Sequence, residues 1–102
     1  MEAPVFPSSR ATVVAVDRQV ACSVAGEAVI LQLDHGIYYG LNPVGARVWE
    51  LVQRPTSIDE IVDGVLAVFE VERERCLRDI QELVADLQRN SLVSVTDESA
   101  RQ

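Results

Sequence analysis

Few side chains in this sequence could carry out covalent chemistry. Its 102 residues include one histidine (His35), two cysteines (Cys22 and Cys76) and no lysine, because all nine basic residues are arginine. Without lysine, Schiff-base catalysis and lysine-based phosphate loops are excluded. The motifs CxxC, HExxH, GxSxG and GxGxxG are also missing, and with them the common redox, metal, serine-nucleophile and dinucleotide sites. The sequence therefore predicts a protein that is not an enzyme and that needs no metal or cofactor.

The cysteines are expected to be structural. A lone cysteine among apolar residues is usually a small buried hydrophobic side chain and not a nucleophile. The N-terminus has no secretion signal and no apolar run reaches membrane length, so we expect a cytoplasmic protein with reduced thiols. A disulfide between Cys22 and Cys76, and any role for them beyond packing, stay open at this stage.

The charge balance argues against nucleic acids and membranes as partners. Nine basic and sixteen acidic residues give a net charge of −7 at pH 7, which opposes binding to a phosphate backbone or an anionic bilayer. Hydrophobic residues at 48% and charged residues at 25% are typical of a globular protein. A chain of this length forms one domain, here expected over residues 12–95, with a flexible N-terminal arm (1–11) and a polar tail (96–102).

The first half of the domain has the pattern of an antiparallel sheet. Segments rich in β-branched residues lie at 12–17 and 20–24, the strongest strand signal lies at 28–33, and the return strand is expected at 37–41. Their connections are only a few residues long, which requires antiparallel pairing. Asp34-His35-Gly36 has the residue types of a tight hairpin turn and would leave His35 exposed at the tip.

The second half has the pattern of three helices. Asn42 and Pro43 suit the N-cap and first position of one helix, and Ser57 with Glu60 forms a capping box for the next. The third helix spans about 72–89, and its apolar stripe consists of Cys76, Leu77, Ile80, Leu83, Val84 and Leu87. A short strand is expected near 92–95. This order predicts an α+β domain of winged-helix type, with a three-stranded antiparallel sheet followed by three helices and room for a further strand at either end.

A winged-helix DNA-binding regulator is one alternative for this layout. A recognition helix should present basic side chains to the DNA. Residues 72–89 carry four arginines and five acidic residues, a sum of −1. A structural or dimerisation subunit is the other alternative, since an exposed edge strand can pair with a second copy.

Residues 33–51 resemble those of the PqqD family, small domains that recognise leader peptides in pathways for ribosomally made, modified peptides. The resemblance is greatest to the stand-alone form in lasso-peptide gene clusters. The matching residues are Leu33, Asp34, Tyr38, Tyr39, Leu41, Asn42, Gly45, Trp49 and Leu51. Later matches are Ser57, Glu60 and Ile61, then Leu77, Asp79, Ile80, Leu83 and Leu87, and finally Leu92 and Val93.

The resemblance implies a non-enzymatic protein that binds the leader peptide of a precursor and presents it to a separate leader peptidase of the cysteine-protease type. The leader would add as a strand to Ile37–Leu41 beside the third helix. The implied peptide-binding residues are Ile37, Tyr38, Tyr39, Gly40, Leu41, Arg73, Leu77, Arg78, Ile80, Gln81 and Val84.

Strand addition alone does not give this site its affinity. Each backbone hydrogen bond contributes about 0.5–1.5 kcal/mol, while ordering each peptide residue costs about 1–2 kcal/mol. Apolar anchors of about 1.5–3 kcal/mol each must supply the rest. The expected pocket walls are Ile37, Tyr39, Leu77, Ile80 and Val84, and the expected rim is Arg73, Arg78, Asp79 and Gln81. The apolar helix residues also fit a plain core role, and for Ile80 the two roles stay equally open.

Overall fold

The computed structural model describes residues 6–17, 19–24, 27–34 and 36–97. The predictions for His35, for the turn at 25–26 and for residues 1–5 and 98–102 lie outside the described residues. In chain order the elements are β1 (Thr12–Ala15), β2 (Gln19–Val24), β3 (Glu27–Gln32), β4 (Ile37–Leu41), α1 (Pro43–Leu51), β5 (Thr56–Ser57), α2 (Ile58–Leu66), α3 (Arg73–Arg89) and β6 (Val93–Thr96). The predicted α+β class is confirmed.

The main sheet consists of β2, β3 and β4 in that order, with both pairs antiparallel. In this sheet Ile30 pairs with Tyr39, and Leu31 pairs with Tyr38. Gly36 has a φ of +66° in the turn before β4, a conformation that glycine adopts at little cost. The predicted three-stranded antiparallel sheet is therefore present, and β4 forms one of its edges.

A second, small sheet joins distant parts of the chain in the order β5-β1-β6. The first predicted strand lies here and not in the main sheet, since Val13 pairs with Thr56 on one side and with Val95 on the other. The final predicted strand is confirmed as β6. The two-residue strand β5 was not predicted, because a pairing with residues so far away leaves no local pattern.

The predicted helix starts are confirmed by their capping bonds. The Gly45 N–H donates to the Asn42 side chain over 2.7 Å at the start of α1. At the start of α2, the Glu60 N–H donates to Ser57 Oγ over 3.1 Å and the Ser57 N–H donates to Glu60 Oε1 over 3.0 Å. These bonds satisfy N–H groups that have no partner within the helix. None of the helices in the described ranges is long and apolar enough to cross a membrane.

The N-terminal arm is attached to the domain from Pro7 onward, although its sequence suggested a loose segment. Ser9 and Ala11 accept hydrogen bonds from the N–H groups of Asp59 and Ile58, both over 2.9 Å. The arm thereby supplies acceptors for the first N–H groups of α2, which would otherwise lack them. Ala11 is fully buried.

One core lies between the inner face of the main sheet, the small sheet and the helices. α1 and α2 approach each other closely at Gly64, where a Cβ atom would stand 2.6 Å from Leu51 Cδ1. The core residues are Ala11, Val13, Ile30, Leu41, Val48, Trp49, Val52, Ile58, Ile61, Val62, Val65, Cys76, Ile80, Val84, Leu87, Leu92 and Val93. The apolar stripe predicted for α3 supplies four of these residues: Cys76, Ile80, Val84 and Leu87.

Candidate functional site

A cleft of about 1060 Å³ runs along α3 and is called the α3 cleft below. Its other walls are the start of α1, the end of α2 and the connection between α2 and α3. Its apolar lining consists of Phe6, Val44, Val65, Val71, Cys76, Ile80 and Leu83. Apolar side chains on the floor of an open cleft are suited to taking up apolar groups of a ligand.

Charged side chains form the rim of the α3 cleft, and acidic residues predominate. The rim residues are Glu70, Glu72, Arg75, Asp79, Glu82, Asp86 and Arg89. Both arginines are close to carboxylates of the same rim, with Arg89 2.7 Å from Asp86 and Arg75 3.9 Å from Asp79. This side of α3 therefore repels a phosphate backbone, as the net charge of the chain suggested.

Strand β4 is tied to α3 by a hydrogen bond between side chains. The Tyr39 O–H donates to Oδ2 of Asp86 over 2.5 Å, and Oδ1 of the same carboxylate accepts from Arg89 over 2.7 Å. Burial, the bond to Asp86 and the charge of Asp86 raise the pKa of Tyr39 to about 12, although Arg89 opposes the shift. Tyr39 is therefore a protonated donor at neutral pH, and its bond fixes the distance between the strand and the helix.

The edge formed by β4 is open. The described residues supply no strand beyond β4, so its outward N–H and C=O groups face a site where another strand could pair. Tyr38 and Gly40 lie on the outer face of the sheet, and Tyr38 is 68% exposed. A Cβ atom built on Gly40 would meet nothing within 4 Å. The strand thus combines an available backbone with an uncrowded outer face.

The strand residues of the predicted site occupy different environments. Leu41 is buried in the core, and Tyr39 is half-buried against it. Ile37 begins β4 opposite Gln32, and the pocket role predicted for its side chain lies outside the described side chains. Tyr38 and Gly40 are the two that face outward.

The predicted residues of α3 are brought to the cleft only in part. Ile80 and Asp79 line it. Val84 is fully buried, and Leu77 packs against the core on the margin of the helix away from the cleft lining. Peptide contacts for Leu77 and Val84 therefore stay predictions, since in this structure both side chains pack against the core.

The polar residues predicted for α3 have partners within the chain or point to solvent. Arg73 lies 2.9 Å from Asp63 of α2, and Gln81 donates to the Pro7 carbonyl over 2.8 Å. Arg78 is exposed. Sequence reasoning missed Phe6, Leu83, Asp86 and Arg89 as cleft residues. The helical spacing of Asp79, Leu83 and Asp86, which places them on one face of α3, could have indicated that these residues share a surface.

Both cysteines are free thiols, Cys22 exposed and Cys76 buried. Burial and the neighbouring Asp79 raise the pKa of Cys76, with Arg73 opposing. A thiol with a raised pKa is a poor nucleophile at neutral pH. Among the residues that the structure describes, no three His, Cys, Asp or Glu side chains are grouped as metal ligands.

Comparison with solved structures finds two with the same fold. TbiB1 in complex with the TbiA(beta) leader peptide is 32% identical, with a TM-score of 0.71 over 79% of this chain and 94% of that one. A lasso peptide synthetase B1 complexed with the leader peptide is 23% identical, with a TM-score of 0.70 over 80% of this chain and 96% of that one. At 23% identity, the match to the second structure shows only that the two proteins have the same fold. No curated protein matches this chain.

The family comparison agrees with the resemblance found in the sequence. Residues 27–93 match the family described as coenzyme PQQ synthesis protein D (PqqD). The matched range contains β3, β4 and all of α1, α2 and α3, and thus the open edge and every lining residue of the α3 cleft except Phe6. The chain belongs to the PqqD family.

Proposed function

We propose that this protein binds the leader peptide of a ribosomally made precursor of the lasso type. The leader adds to the main sheet as a strand beside β4 and places side chains in the α3 cleft. The open edge of β4 next to an apolar cleft is the observation that carries the proposal. The 32% identity with TbiB1, which was solved in complex with the TbiA(beta) leader peptide, supports it.

The energetics of strand addition assign separate roles to the two parts of the site. Backbone bonds to β4 set the register, but they roughly balance the cost of ordering the peptide. The apolar lining of the α3 cleft then supplies the net affinity, because each buried anchor contributes about 1.5–3 kcal/mol. Alternate side chains of the added strand face Tyr38 on the outside and the cleft on the inside.

The margin of α3 that contains Asp79, Leu83 and Asp86 is the one we assign to the peptide. It lines the cleft and is joined to β4 by the Tyr39–Asp86 bond. Ile80 lies at the base of this margin. Arg73 and Gln81, which were expected at the rim of the pocket, are instead bonded to Asp63 and Pro7 in the free protein.

The bound leader is presented to a separate peptidase of the cysteine-protease type, and this chain performs no cleavage. Its two thiols are not organised for catalysis, since Cys76 is buried with a raised pKa. The acidic rim of α3 argues against the DNA-binding alternative.

The proposal implies a lasso-type precursor gene near the gene for this chain, and calorimetric titration with the leader peptide of that precursor tests it. We expect saturable binding with a Kd below about 1 mM, which corresponds to about −4.1 kcal/mol. A peptide with the same residues in scrambled order is the control for charge and composition. Equal affinity for both peptides, or no saturable binding of the leader, would contradict leader recognition.

A matched pair of variants locates the site on α3. Leu83 and Leu77 are both half-buried, but only Leu83 lines the cleft. Leu83→Ala should raise the Kd about tenfold, since it removes one apolar anchor, while Leu77→Ala should leave the Kd unchanged. The reverse result would assign the peptide to the Leu77 margin that the sequence predicted.

A further inference from the structure

The N-terminal arm reaches the α3 cleft. Phe6, the first described residue of the chain, is one of the apolar residues that line it. Its side chain is 44% exposed, so about half of an aromatic ring presents apolar surface to solvent. The other walls of the cleft come from helices and the connection between them, and Phe6 is the one lining residue from the arm.

The residues that follow Phe6 are held by hydrogen bonds to α3 and to Asp97, the residue after β6. Pro7 is buried, and its carbonyl accepts from the Gln81 side chain of α3 over 2.8 Å. The Ser8 N–H and Oγ both donate to the Asp97 carboxylate, each over 2.8 Å. Phe6 is therefore held at the cleft by the residues that follow it.

We infer that Phe6 is an outer wall of the leader-binding site and that Gln81 positions it. The volume of about 1060 Å³ is the open space of the cleft with Phe6 already in its wall, so Phe6 leaves space for a peptide beside it. A bound leader would cover the exposed half of the ring, which adds apolar burial to the complex. This inference rests on the proposed function, because it assumes that the leader occupies the α3 cleft.

Fluorine NMR can observe this contact directly, because the chain contains only two phenylalanines. Phe69 packs against the core and is not in the cleft lining, so it serves as an internal control. With 4-fluorophenylalanine at both positions and the leader peptide of the calorimetric titration as probe, the Phe6 signal should shift saturably with the calorimetric Kd. The Phe6→Leu variant assigns the two signals. An unchanged Phe6 signal in a titration that saturates by calorimetry would overturn the inference.

Binding by variants tests the role of Gln81. Phe6→Ala should raise the Kd about fivefold, the loss expected for half of an apolar side chain, and Phe6→Leu should recover part of this loss. Gln81→Ala should also raise the Kd, because it removes the bond that holds Pro7, the neighbour of Phe6, against α3. The double variant should bind no more weakly than Phe6→Ala, since Gln81 acts through Phe6. Val68→Ala, at an exposed position outside the cleft lining, is the control.

The outcomes separate this inference from the proposed function. If the wild type binds the leader and Phe6→Ala binds equally or more tightly, Phe6 is not a wall, and the proposed function stands. Additive effects of the Phe6 and Gln81 changes would show that Gln81 does not act through Phe6, which would overturn its positioning role. If the wild type does not bind the leader, both the inference and the proposed function fail.

Discussion

The two sheets of this protein differ in how they are assembled and in which side chains they leave exposed. The small sheet joins three segments that are far apart in sequence, and its Val13 is fully buried. The main sheet is built from consecutive hairpins and keeps an open edge at β4 with Tyr38 exposed on its outer face. The small sheet therefore contributes mainly to the stability of the fold, while the main sheet has the open edge to which our proposal assigns the leader peptide.

An aspartate placed in each sheet should give the largest difference in stability between variants of the two sheets. Val13→Asp should lower the free energy of unfolding by about 3–5 kcal/mol, because it buries a carboxylate with no partner. Chemical denaturation followed by circular dichroism measures this loss. A variant that retained the stability of the wild type would show that the small sheet does not carry the fold.

Tyr38→Asp is the matched change in the main sheet. We expect a loss of stability below about 1 kcal/mol, the range of β-propensity effects at such a site. The Kd for the leader peptide should nevertheless rise more than tenfold, because Tyr38 lies in β4 and its side chain would be next to those of the added peptide strand. Titration by calorimetry, beside denaturation of the same sample, checks both parts. Normal leader affinity would show that the outer face of β4 takes no part in binding.

Tyr39→Phe is the mildest of the three substitutions, because it removes a single hydroxyl group. It takes away the O–H donor to Asp86, and we expect a loss of about 1.5 kcal/mol of stability at pH 7, the lower end of the range for a hydrogen bond to a charged group. The pKa of Tyr39 is raised to about 12 from the ordinary tyrosine value of 10.0. The folded state therefore holds this proton more tightly than the unfolded state does.

The pH dependence follows from that difference. The contribution of Tyr39 to stability is fully present below pH 10 and is lost as the pH rises toward 12. Between these values the wild type should lose stability more steeply than Tyr39→Phe, as measured by urea denaturation at each pH. Parallel curves for the two proteins would contradict the bond between Tyr39 and Asp86.

Local patterns predicted the parts of the fold that local contacts form. The caps at Asn42 and Ser57 and the hairpin from β3 to β4 depend on residues a few positions apart, and the structure confirms them. The pairing of β1 with β5 and β6 was missed because it joins residues more than 40 positions apart, such as Val13 with Thr56 and Val95. The attachment of the arm to α2 was missed for the same reason.

For α3, the sequence predicts which residues form the apolar stripe, but it does not predict which margin of the stripe belongs to the site. Periodicity places Leu77 and Leu83 on the two margins of the stripe around Ile80, but it does not say which margin faces β4. The bond from Tyr39 to Asp86 shows that the Leu83 margin does. That choice depends on how the helix packs on the sheet, which the pattern of one helix does not contain.

The position of the arm has a practical consequence for complexes of this protein. Because Pro7 is held against α3 and Phe6 lies in the cleft, a peptide joined ahead of Phe6 would start at the mouth of the cleft. A leader fused there through a short Gly/Ser linker would bind intramolecularly, at an effective concentration in the millimolar range. Such a fusion should populate the complex even for a leader of weak intrinsic affinity.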